Sequence, residues 1–331
     1  MNWTGKHKDG VAALEKDGKH SKRLRATTKL CPAMATVTAT DAAPISAAKG
    51  ANAVAEKFTA SAVPPTKVMK DEAGKEVTMT IGKLANGSKT VSKASIQCGW
   101  NWLTCAKPML PGCPDWCPAT HFGFVKKGKM KVQMKDEDKW MTFEEGDAYF
   151  VPPGHLPDFP EDTEFFEFSQ DQTYVKLAEG TSDTSTPAPA TEPATFAPGH
   201  AKYKDMPNTK EMTDGNGKKA SMIMAKFADG TRTVNRITIE EGFEWSSGVR
   251  PHLPGCPAHC PATHFGVIQS GKMEIQMAGS EEWTAFAPGD AYHVPPGHLP
   301  RFSCGETVMM EFAQDDTYTN AAFVKAKSSS S

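Results

Sequence analysis

Short segments in which apolar and polar residues alternate recur along most of this chain. Alternation with a period of two is typical of strands that bury one face, and the glycines and prolines between the segments are typical of turns. No long stretch has the 3.6-residue period of an amphipathic helix, so the pattern predicts an all-β sandwich or barrel. The clearest segments in the first half of the chain are residues 78–81, 91–96, 122–125, 130–134 and 148–151.

The same pattern occurs twice, because the chain repeats itself at an offset of 143 residues. Residues 146–159, GDAYFVPPGHLPDF, align with residues 289–302, GDAYHVPPGHLPRF. After a one-residue insertion, EFSQDQTY at residues 167–174 aligns with EFAQDDTY at residues 311–318. A repeat longer than about 50 residues is a domain rather than a unit of a solenoid, so we predict two similar domains.

The two copies set the predicted domain boundaries. We expect domain 1 over residues 64–177 and domain 2 over residues 207–321. Residues 178–200 are rich in Pro, Ala, Ser and Thr, which predicts a semi-extended linker. Residues 1–60 are predicted to be a disordered or targeting tail, and residues 322–331, which end in four serines, a second disordered tail.

Composition and charge limit the classes of binding partner and the cellular compartment that we expect for this chain. A formal net charge of -2 over 331 residues gives no general attraction to nucleic acid or to anionic membranes. The chain has no apolar run of the about 18 residues that a spanning helix needs, and its start lacks the apolar centre of a secretory signal. We therefore expect a soluble, cytoplasmic chain that binds neither nucleic acid nor membrane, with organelle targeting by the basic N-terminal tail as the alternative.

One short motif, present in both copies, contains most of the candidate metal-binding residues. GCPDWCPATHFG at residues 112–123 recurs as GCPAHCPATHFG at residues 255–266, and a further histidine follows each PPG turn. Thiolates together with imidazoles suit zinc, iron(II) or copper and disfavour the hard ions magnesium and calcium. The repeated candidates are Cys113, Cys117, His121 and His155 in the first copy, and Cys256, Cys260, His264 and His298 in the second.

Two motifs in each copy resemble those of the cupins. GDAYFVPPGH and GDAYHVPPGH resemble the second cupin motif, a glycine, five residues and Pro-x-Gly, here followed by histidine. The spacing from His121 to Gly128, and from His264 to Gly271, resembles the end of the first motif. The resemblance implies a bicupin, two tandem double-stranded β-helix (jelly-roll) barrels that each hold a metal on three histidines and a glutamate. It also allows a homodimer that forms through barrel faces.

Both copies depart from the cupin pattern at the metal ligands. His121 and His264 occupy the position of the family's glutamate, and Cys117 and Cys260 lie near that of its second histidine. The histidine after the PPG turn lies two residues before its usual position, a shift that preserves strand parity. The expected cofactor is a divalent transition metal, Fe, Zn or Mn. Its expected ligands are His121, His155 and Cys117, and His264, His298 and Cys260, with Cys113 and Cys256 ranked below them.

Other interpretations of these residues stay open. Cys113 and Cys117 allow a disulfide that would fasten the proline-rich loop in an oxidising compartment. The histidines allow purely structural roles, and the barrels allow a metal-free binding cavity. Glu167 and Glu311 are candidate catalytic residues, as metal ligand or general base, or else solvated residues of an exposed strand.

Several other repeated residues have structural interpretations. Gly146 and Gly289 are predicted turn residues with positive φ. Asp147 and Asp290 are predicted to accept hydrogen bonds from backbone amides in the same turns. The repeated tryptophans are predicted to pack in the core: Trp102, Trp140, Trp245 and Trp283.

The favoured function is a metal-dependent enzyme that acts on a small organic molecule inside the barrel. The resemblance implies an oxidoreductase of the dioxygenase type or a decarboxylase, whereas the thiolates also allow a zinc-dependent lyase or hydratase. A non-catalytic cupin that binds a small molecule or acts as a scaffold is the competing class. If a single copy is catalytic, the second is favoured, because it has three additional histidines: His252, His259 and His293.

Overall fold

The computed structural model describes residues 54–168, 173–180 and 197–312, and strands dominate these residues. The alternating segments of the first half all lie in strands, which confirms the all-β prediction. The strands of this half are β1 (Glu56–Thr59), β2 (Lys67–Lys70), β3 (Glu76–Leu84), β4 (Lys89–Ile96), β5 (His121–Lys127), β6 (Lys129–Met134), β7 (Trp140–Glu144), β8 (Ala148–Val151), β9 (His155–Asp158) and β10 (Thr163–Phe168).

The second half repeats this order of strands. They are β11 (Gly199–Ala201), β12 (Lys210–Thr213), β13 (Lys219–Phe227), β14 (Arg232–Ile239), β15 (His264–Ser270), β16 (Met273–Met277), β17 (Trp283–Phe286), β18 (Asp290–Val294), β19 (His298–Arg301) and β20 (Thr307–Phe312). The described α-helices are α1 (Trp102–Cys105), α2 (Thr173–Glu179) and α3 (Trp245–Gly248). Single 3-10 turns lie at Ala60–Ala62, Lys107–Met109, Tyr203–Asp205, Ala228–Gly230 and Arg250–His252. Across the described residues, no helix has the length and apolar character needed to span a membrane.

Each half of the chain builds one barrel from a large and a small antiparallel sheet. The first barrel combines the order β11-β8-β5-β10-β4-β3-β2 with the order β7-β6-β9. The second combines β1-β18-β15-β20-β14-β13-β12 with β17-β16-β19, so the two barrels correspond strand by strand. The described residues thus form two tandem barrels of the double-sheet, jelly-roll kind.

The outermost strands are exchanged between the barrels. β1 precedes the first barrel in the chain but pairs with β18 of the second, where Glu56 lies opposite His293. In the same way β11 precedes the second barrel and pairs with β8 of the first, where Gly199 lies opposite Phe150. Each barrel therefore contains one strand that belongs, by its place in the chain, to the other half.

Both exchanged strands begin outside the predicted domain boundaries. β1 lies inside residues 1–60, for which the sequence predicts a tail, and β11 begins inside the predicted linker, residues 178–200. Helix α2 also ends inside the predicted linker. The remaining parts of the predicted tails and linker, residues 1–53, 181–196 and 322–331, lie outside the described residues, as do residues 313–321 at the end of predicted domain 2.

The predicted turn chemistry is confirmed at the glycine-aspartate turns. Gly146 and Gly289 have φ values of 87° and 88°, in the left-handed region that favours glycine. The Glu144 amide donates to Asp147 Oδ2 at 3.0 Å. The Ala287 amide donates to Asp290 Oδ2 at 2.8 Å, so each aspartate closes its own turn.

The core prediction holds for two of the tryptophans and fails for one. Trp102 and Trp245 are buried, with 3% and 5% of their surface exposed. The prediction is wrong for Trp140, which is 44% exposed because it begins β7, an edge strand of a three-stranded sheet. Its counterpart Trp283 is partly covered by the guanidinium of Arg301, whose carbon lies 4.1 Å from the ring centroid.

Candidate metal centres

The backbone brings the cysteine loop against the PPG turn in both barrels. The amide of Cys117 donates to the carbonyl of His155 at 2.8 Å, and the amide of Gly154 donates back to the carbonyl of Cys117 at 2.8 Å. Cys260 makes the same pair of bonds with His298 and Gly297, each at 2.8 Å. These two bonds form an isolated β-bridge, which fixes each thiol beside the histidine that begins the following strand.

The remaining histidine comes from a central strand of each large sheet. His121 begins β5 and is paired with Val151 of β8, and His264 begins β15 and is paired with Val294 of β18. Strand parity directs both imidazoles into the barrel, toward the cysteine loop. The residues ranked first from the sequence therefore converge in both barrels.

The convergence is close enough for one ion in each barrel. The ligand atoms of Cys117, His121 and His155 all lie within 4.8 Å of one another, and so do those of their counterparts in the second barrel. Cys117 Sγ lies 3.5 Å from His121 Nε2. Cys260 Sγ lies 3.4 Å from His264 Nε2. Each barrel thus has one thiol and two imidazoles directed at a common point.

Hydrogen bonds fix which nitrogen each imidazole presents. His155 donates from Nδ1 to the carbonyl of Pro152 at 2.7 Å, which leaves Nε2 free to act as a ligand. His121 donates from Nδ1 to Glu167 Oε1 at 2.7 Å, so it presents Nε2 as well. A carboxylate behind a histidine is the usual arrangement around protein-bound metals, because it holds the ring and raises the basicity of the other nitrogen.

The second barrel repeats these hydrogen bonds. His298 donates from Nδ1 to the carbonyl of Pro295 at 2.8 Å. His264 donates from Nδ1 to Glu311 Oε1 at 2.8 Å. The two candidate centres therefore have the same donor atoms and the same orienting partners.

Glu167 and Glu311 lie behind the imidazoles rather than on an exposed strand. They are only 9% and 8% exposed, so the interpretation of these glutamates as solvated residues is wrong. Each carboxylate also accepts a hydrogen bond from a fully buried tyrosine hydroxyl, Tyr149 at 3.1 Å and Tyr292 at 3.0 Å. Sequence reasoning missed these tyrosines, although both belong to the repeated GDAY motif and would face inward by strand parity.

The electrostatics of the cluster favour the thiolate. Burial raises the pKa of the Cys117 thiol, but the charge of His155 and the hydrogen bond to His121 lower this pKa by a larger amount. The resulting pKa is about 5. The Cys260 pKa is likewise about 5, because hydrogen bonds to His264 and His298 outweigh burial. A thiol with this pKa is ionised at neutral pH and is ready to ligate a metal or to act as a nucleophile.

The pKa values of the partner histidines, His121 and His264, shift in the opposite direction. Burial lowers the pKa of His121, but the nearby Glu167 carboxylate and Cys117 thiolate raise it well above its usual value. Glu311 and Cys260 do the same for His264. Without a metal, each cluster is therefore stabilised as a thiolate next to an imidazolium.

The cysteines ranked second do not join these clusters. Cys113 and Cys256 are exposed and occupy positive φ values of 45° and 42° in the loop before each cluster. Cys113 Sγ lies 3.9 Å from the carbonyl oxygen of Pro108. No cysteine among the described residues forms a disulfide, so the disulfide between Cys113 and Cys117 does not form in this structure.

The additional histidines of the second half also lie outside the candidate centre. His252, His259 and His293 do not belong to either ligand group formed by the described residues. His293 instead faces Glu56 of the exchanged strand β1, with Nδ1 3.8 Å from the carboxylate. The preference for a catalytic second barrel therefore gains no support from these histidines.

A cavity opens beside each cluster, inside the barrel. Its volume is about 70 Å³ in the first barrel and about 90 Å³ in the second. The histidines and the glutamate of each cluster lie on the cavity wall, and most of the remaining wall is methionine, aliphatic or aromatic. Space of this size holds several waters or one small organic molecule, since one water needs about 10–15 Å³.

Helix α2 closes the cavity of the first barrel. Tyr174 lies on the cavity wall, and its hydroxyl accepts a hydrogen bond from Trp102 Nε1 at 2.7 Å. The same hydroxyl lies 3.2 Å from Cys117 Sγ and can donate to the thiolate. The corresponding tyrosine in the second copy, residue 318, lies outside the described residues. Sequence alignment pairs these tyrosines but gives no sign that one reaches the cysteine.

Neither a protein-family model nor a curated protein sequence matches this chain. A Pseudomonas aeruginosa protein described as glyoxylate-induced is 14% identical, with a TM-score of 0.50 over 82% of this chain and 92% of that chain. A point mutant of the Bacillus subtilis oxalate decarboxylase is 14% identical, with a TM-score of 0.47 over 85% and 82% of the two chains. A cupin 2 conserved barrel domain protein from Leptotrichia buccalis is 11% identical, with a TM-score of 0.40 over 80% and 99%. At these identities the likeness concerns the fold alone.

Proposed function

Because the chain has the bicupin fold, two cupin-type barrels in tandem, we propose that it is a metal-dependent enzyme with one metal centre in each barrel. Each centre would hold a divalent transition-metal ion on one thiolate and two imidazoles, and would act on a small organic molecule in the adjoining cavity. The observation that carries this proposal is the convergence of Cys117, His121 and His155, repeated by their counterparts in the second barrel.

The donor atoms fit such an ion in kind and in separation. A tetrahedral zinc ion with bonds of about 2.3 Å to sulfur and about 2.0 Å to nitrogen separates these two ligands by about 3.5 Å. The sulfur-to-Nε2 distances in the two barrels are 3.5 Å and 3.4 Å. Soft thiolate sulfur favours zinc or iron(II) over manganese, so we rank manganese last among the three candidate ions.

Three protein ligands leave room for substrate or water on the ion. A metal with an open position supplies Lewis-acid chemistry and, if it is iron, redox chemistry as well. The chain's own groups orient the ligating histidines and exclude water from the cavity. Glu167 and Glu311 keep the Nδ1 protons of the ligating histidines in place. The apolar walls desolvate and position a small molecule beside the donor atoms.

Two reaction classes remain within this proposal. An iron ion in a small apolar pocket would suit an oxidoreductase or a decarboxylase. A zinc-dependent lyase or hydratase is the second candidate, because the sulfur-to-nitrogen separation of 3.5 Å is close to that around a tetrahedral zinc ion. Both classes need the same ligand set, so the metal decides between them.

Metal analysis of natively purified full-length protein tests the proposal. We expect close to two equivalents of one transition metal per chain, falling to about one in His121→Ala and in His264→Ala. His259→Ala provides a matched control, because this histidine is partly exposed and lies outside both ligand groups. Protein that is folded yet contains no stoichiometric transition metal, and takes none up on dialysis, would favour a non-catalytic cupin.

A further inference from the structure

Most residues of the two cavity walls correspond, and Asn235 is a polar side chain of the second wall whose counterpart does not line the first. In the second barrel, alternate residues of β14 reach the cavity wall, namely Asn235, Ile237 and Ile239. In the first barrel, Ala94 and Ile96 of β4 occupy the last two of these positions. Ser92 corresponds to Asn235 but is too short to line the cavity, although it is buried.

Asn235 lines the second cavity and contains a buried acceptor without a partner. The residue is 6% exposed, and its side-chain oxygen Oδ1 is buried without a hydrogen-bond partner. Buried polar atoms in folded proteins are nearly always paired with protein, with ordered water or with a ligand. An unpaired buried oxygen on the wall of a cavity therefore marks the place where a donor group from a bound molecule would lie.

The register of the sheet locates this acceptor next to the candidate centre. Asn235 of β14 is the cross-strand partner of Glu311 of β20. Side chains that are directly opposite on neighbouring strands have their Cβ atoms about 4.5–5.5 Å apart. Glu311 is the carboxylate that holds His264, so a molecule that bonds to Asn235 would lie at the same end of the cavity as the ligand cluster.

We propose that Asn235 selects the ligand of the second barrel. The ligand class is a small, mainly apolar molecule that carries one N–H or O–H group, and this group donates a hydrogen bond to Asn235 Oδ1. The first barrel, with Ser92 at the corresponding position, does not share this selectivity. The inference rests on the proposed function only in treating the cavity as a substrate pocket, because the hydrogen bond itself needs no metal.

Pyrrole and furan are suitable probes because they have nearly the same ring size and differ in the N–H group. A five-membered ring suits a cavity of about 90 Å³, which is smaller than an engineered cavity of about 150 Å³ that binds benzene. Binding is measured by NMR of the protein labelled at its methionine methyl groups. Met222 and Met309 line the second cavity and Met69 and Met79 line the first, so the signals report each barrel separately.

In chelator-treated full-length protein we expect pyrrole to bind the second barrel about fivefold more tightly than furan, as one net hydrogen bond allows. Asn235→Ser, which copies the first barrel, and Asn235→Leu should both abolish this preference while furan binding persists. Unchanged Met69 and Met79 signals would verify that each variant is folded. Ser92→Asn is the reciprocal variant and should create a preference for pyrrole in the first barrel.

Two results would overturn the inference. One is equal affinity of pyrrole and furan for the second barrel of the unmodified chain, which would mean that water satisfies Asn235 without discrimination. The other is a pyrrole preference that survives in both Asn235 variants. Because the measurement uses metal-free protein, its failure is distinguishable from failure of the metal proposal, which is read by metal analysis alone.

Discussion

At the residue scale, the orienting carboxylates determine how each imidazole faces the centre. Glu167 and Glu311 fix the Nδ1 proton of their histidines and are themselves held by Tyr149 and Tyr292. The sequence identified the candidate ligands, because cysteine and histidine were retained in both copies while their neighbours varied. It did not identify the role of the glutamates, since a carboxylate 46 residues from its histidine gains meaning only when β5 and β10 are paired.

Replacing one orienting carboxylate should weaken one centre and leave the other unchanged. Loss of a partner behind a metal-bound histidine typically lowers metal affinity by about 10- to 100-fold. We therefore expect Glu311→Gln to show this decrease at one of two sites, measured by competition with a chromophoric chelator. Glu282→Gln, an exposed glutamate of the same barrel, is the control. Two sites of unaltered affinity in Glu311→Gln would rule out the orienting role.

Thiolate absorbance provides a second test at this scale. Because the folded pKa of Cys117 and Cys260 is lowered to about 5, both thiols should be ionised above this pH and protonated below it. In metal-free protein, absorbance near 240 nm should fall on acidification with a midpoint near pH 5, and Cys117→Ser with Cys260→Ser should remove this step. A single transition near pH 9, the value of an ordinary thiol, would contradict the thiolate assignment.

At the element scale, close packing of two strands explains the glycine in each HFG motif. Gly266 of β15 lies against the backbone of Met310 in β20 and against the Tyr292 ring. An added Cβ would overlap the Met310 carbonyl and displace the hydroxyl that bonds Glu311. The strand period predicts that β15 exists, but the distance between two strands is a property of the folded sheet.

Gly266→Ala should therefore destabilise the second barrel. Overpacking a tight site typically costs about 1–3 kcal/mol, which urea denaturation followed by circular dichroism resolves. The comparison variant is Gly215→Ala, since Gly215 is exposed and an added Cβ meets Ser247 at an ordinary 3.4 Å. If the two variants unfold at the same urea concentration, the close approach of β15 and β20 is not required.

At the scale of the whole molecule, the barrels join through a pseudo-twofold interface of phenylalanines. Phe168 and Phe312, which are equivalent in the two copies, stack with ring centroids 3.3 Å apart. Phe122 packs edge-on against Phe312 at 5.1 Å, and Phe265 packs edge-on against Phe168 at 4.9 Å. This is the self-complementary contact of a symmetric dimer, formed here within one chain.

The interface and the exchanged strands should make the two barrels unfold together. Phe312 is 3% exposed, and removing a buried phenylalanine ring costs about 3–5 kcal/mol. We expect Phe312→Ala to shift a single cooperative denaturation transition that is detected equally by methionine signals of both barrels. Trp140→Ala, on an exposed ring, should leave it nearly unchanged. Two separate transitions, with the first barrel unaffected, would show that the barrels are independent.

The internal repeat and the period-two pattern were sufficient to predict two barrels and most of their strands. They were not sufficient for β1 and β11, which have only four and three residues and whose partners lie in the other half of the chain. The sequence likewise pairs Ser92 with Asn235 as an ordinary substitution, and only the cavity shows that one side chain reaches it. What could not be predicted depends on contacts between distant segments.

X-ray absorption spectroscopy at the metal edge of natively purified protein tests the central claim most directly. For a centre with one thiolate and two imidazoles, the fitted average should contain about one sulfur at about 2.3 Å and two imidazole nitrogens at about 2.0–2.1 Å per zinc ion, with a sulfur contribution also for iron. The sulfur contribution should disappear in the Cys117→Ser, Cys260→Ser double variant. An ion bound only by nitrogen and oxygen in the unmodified protein would contradict the proposed centre.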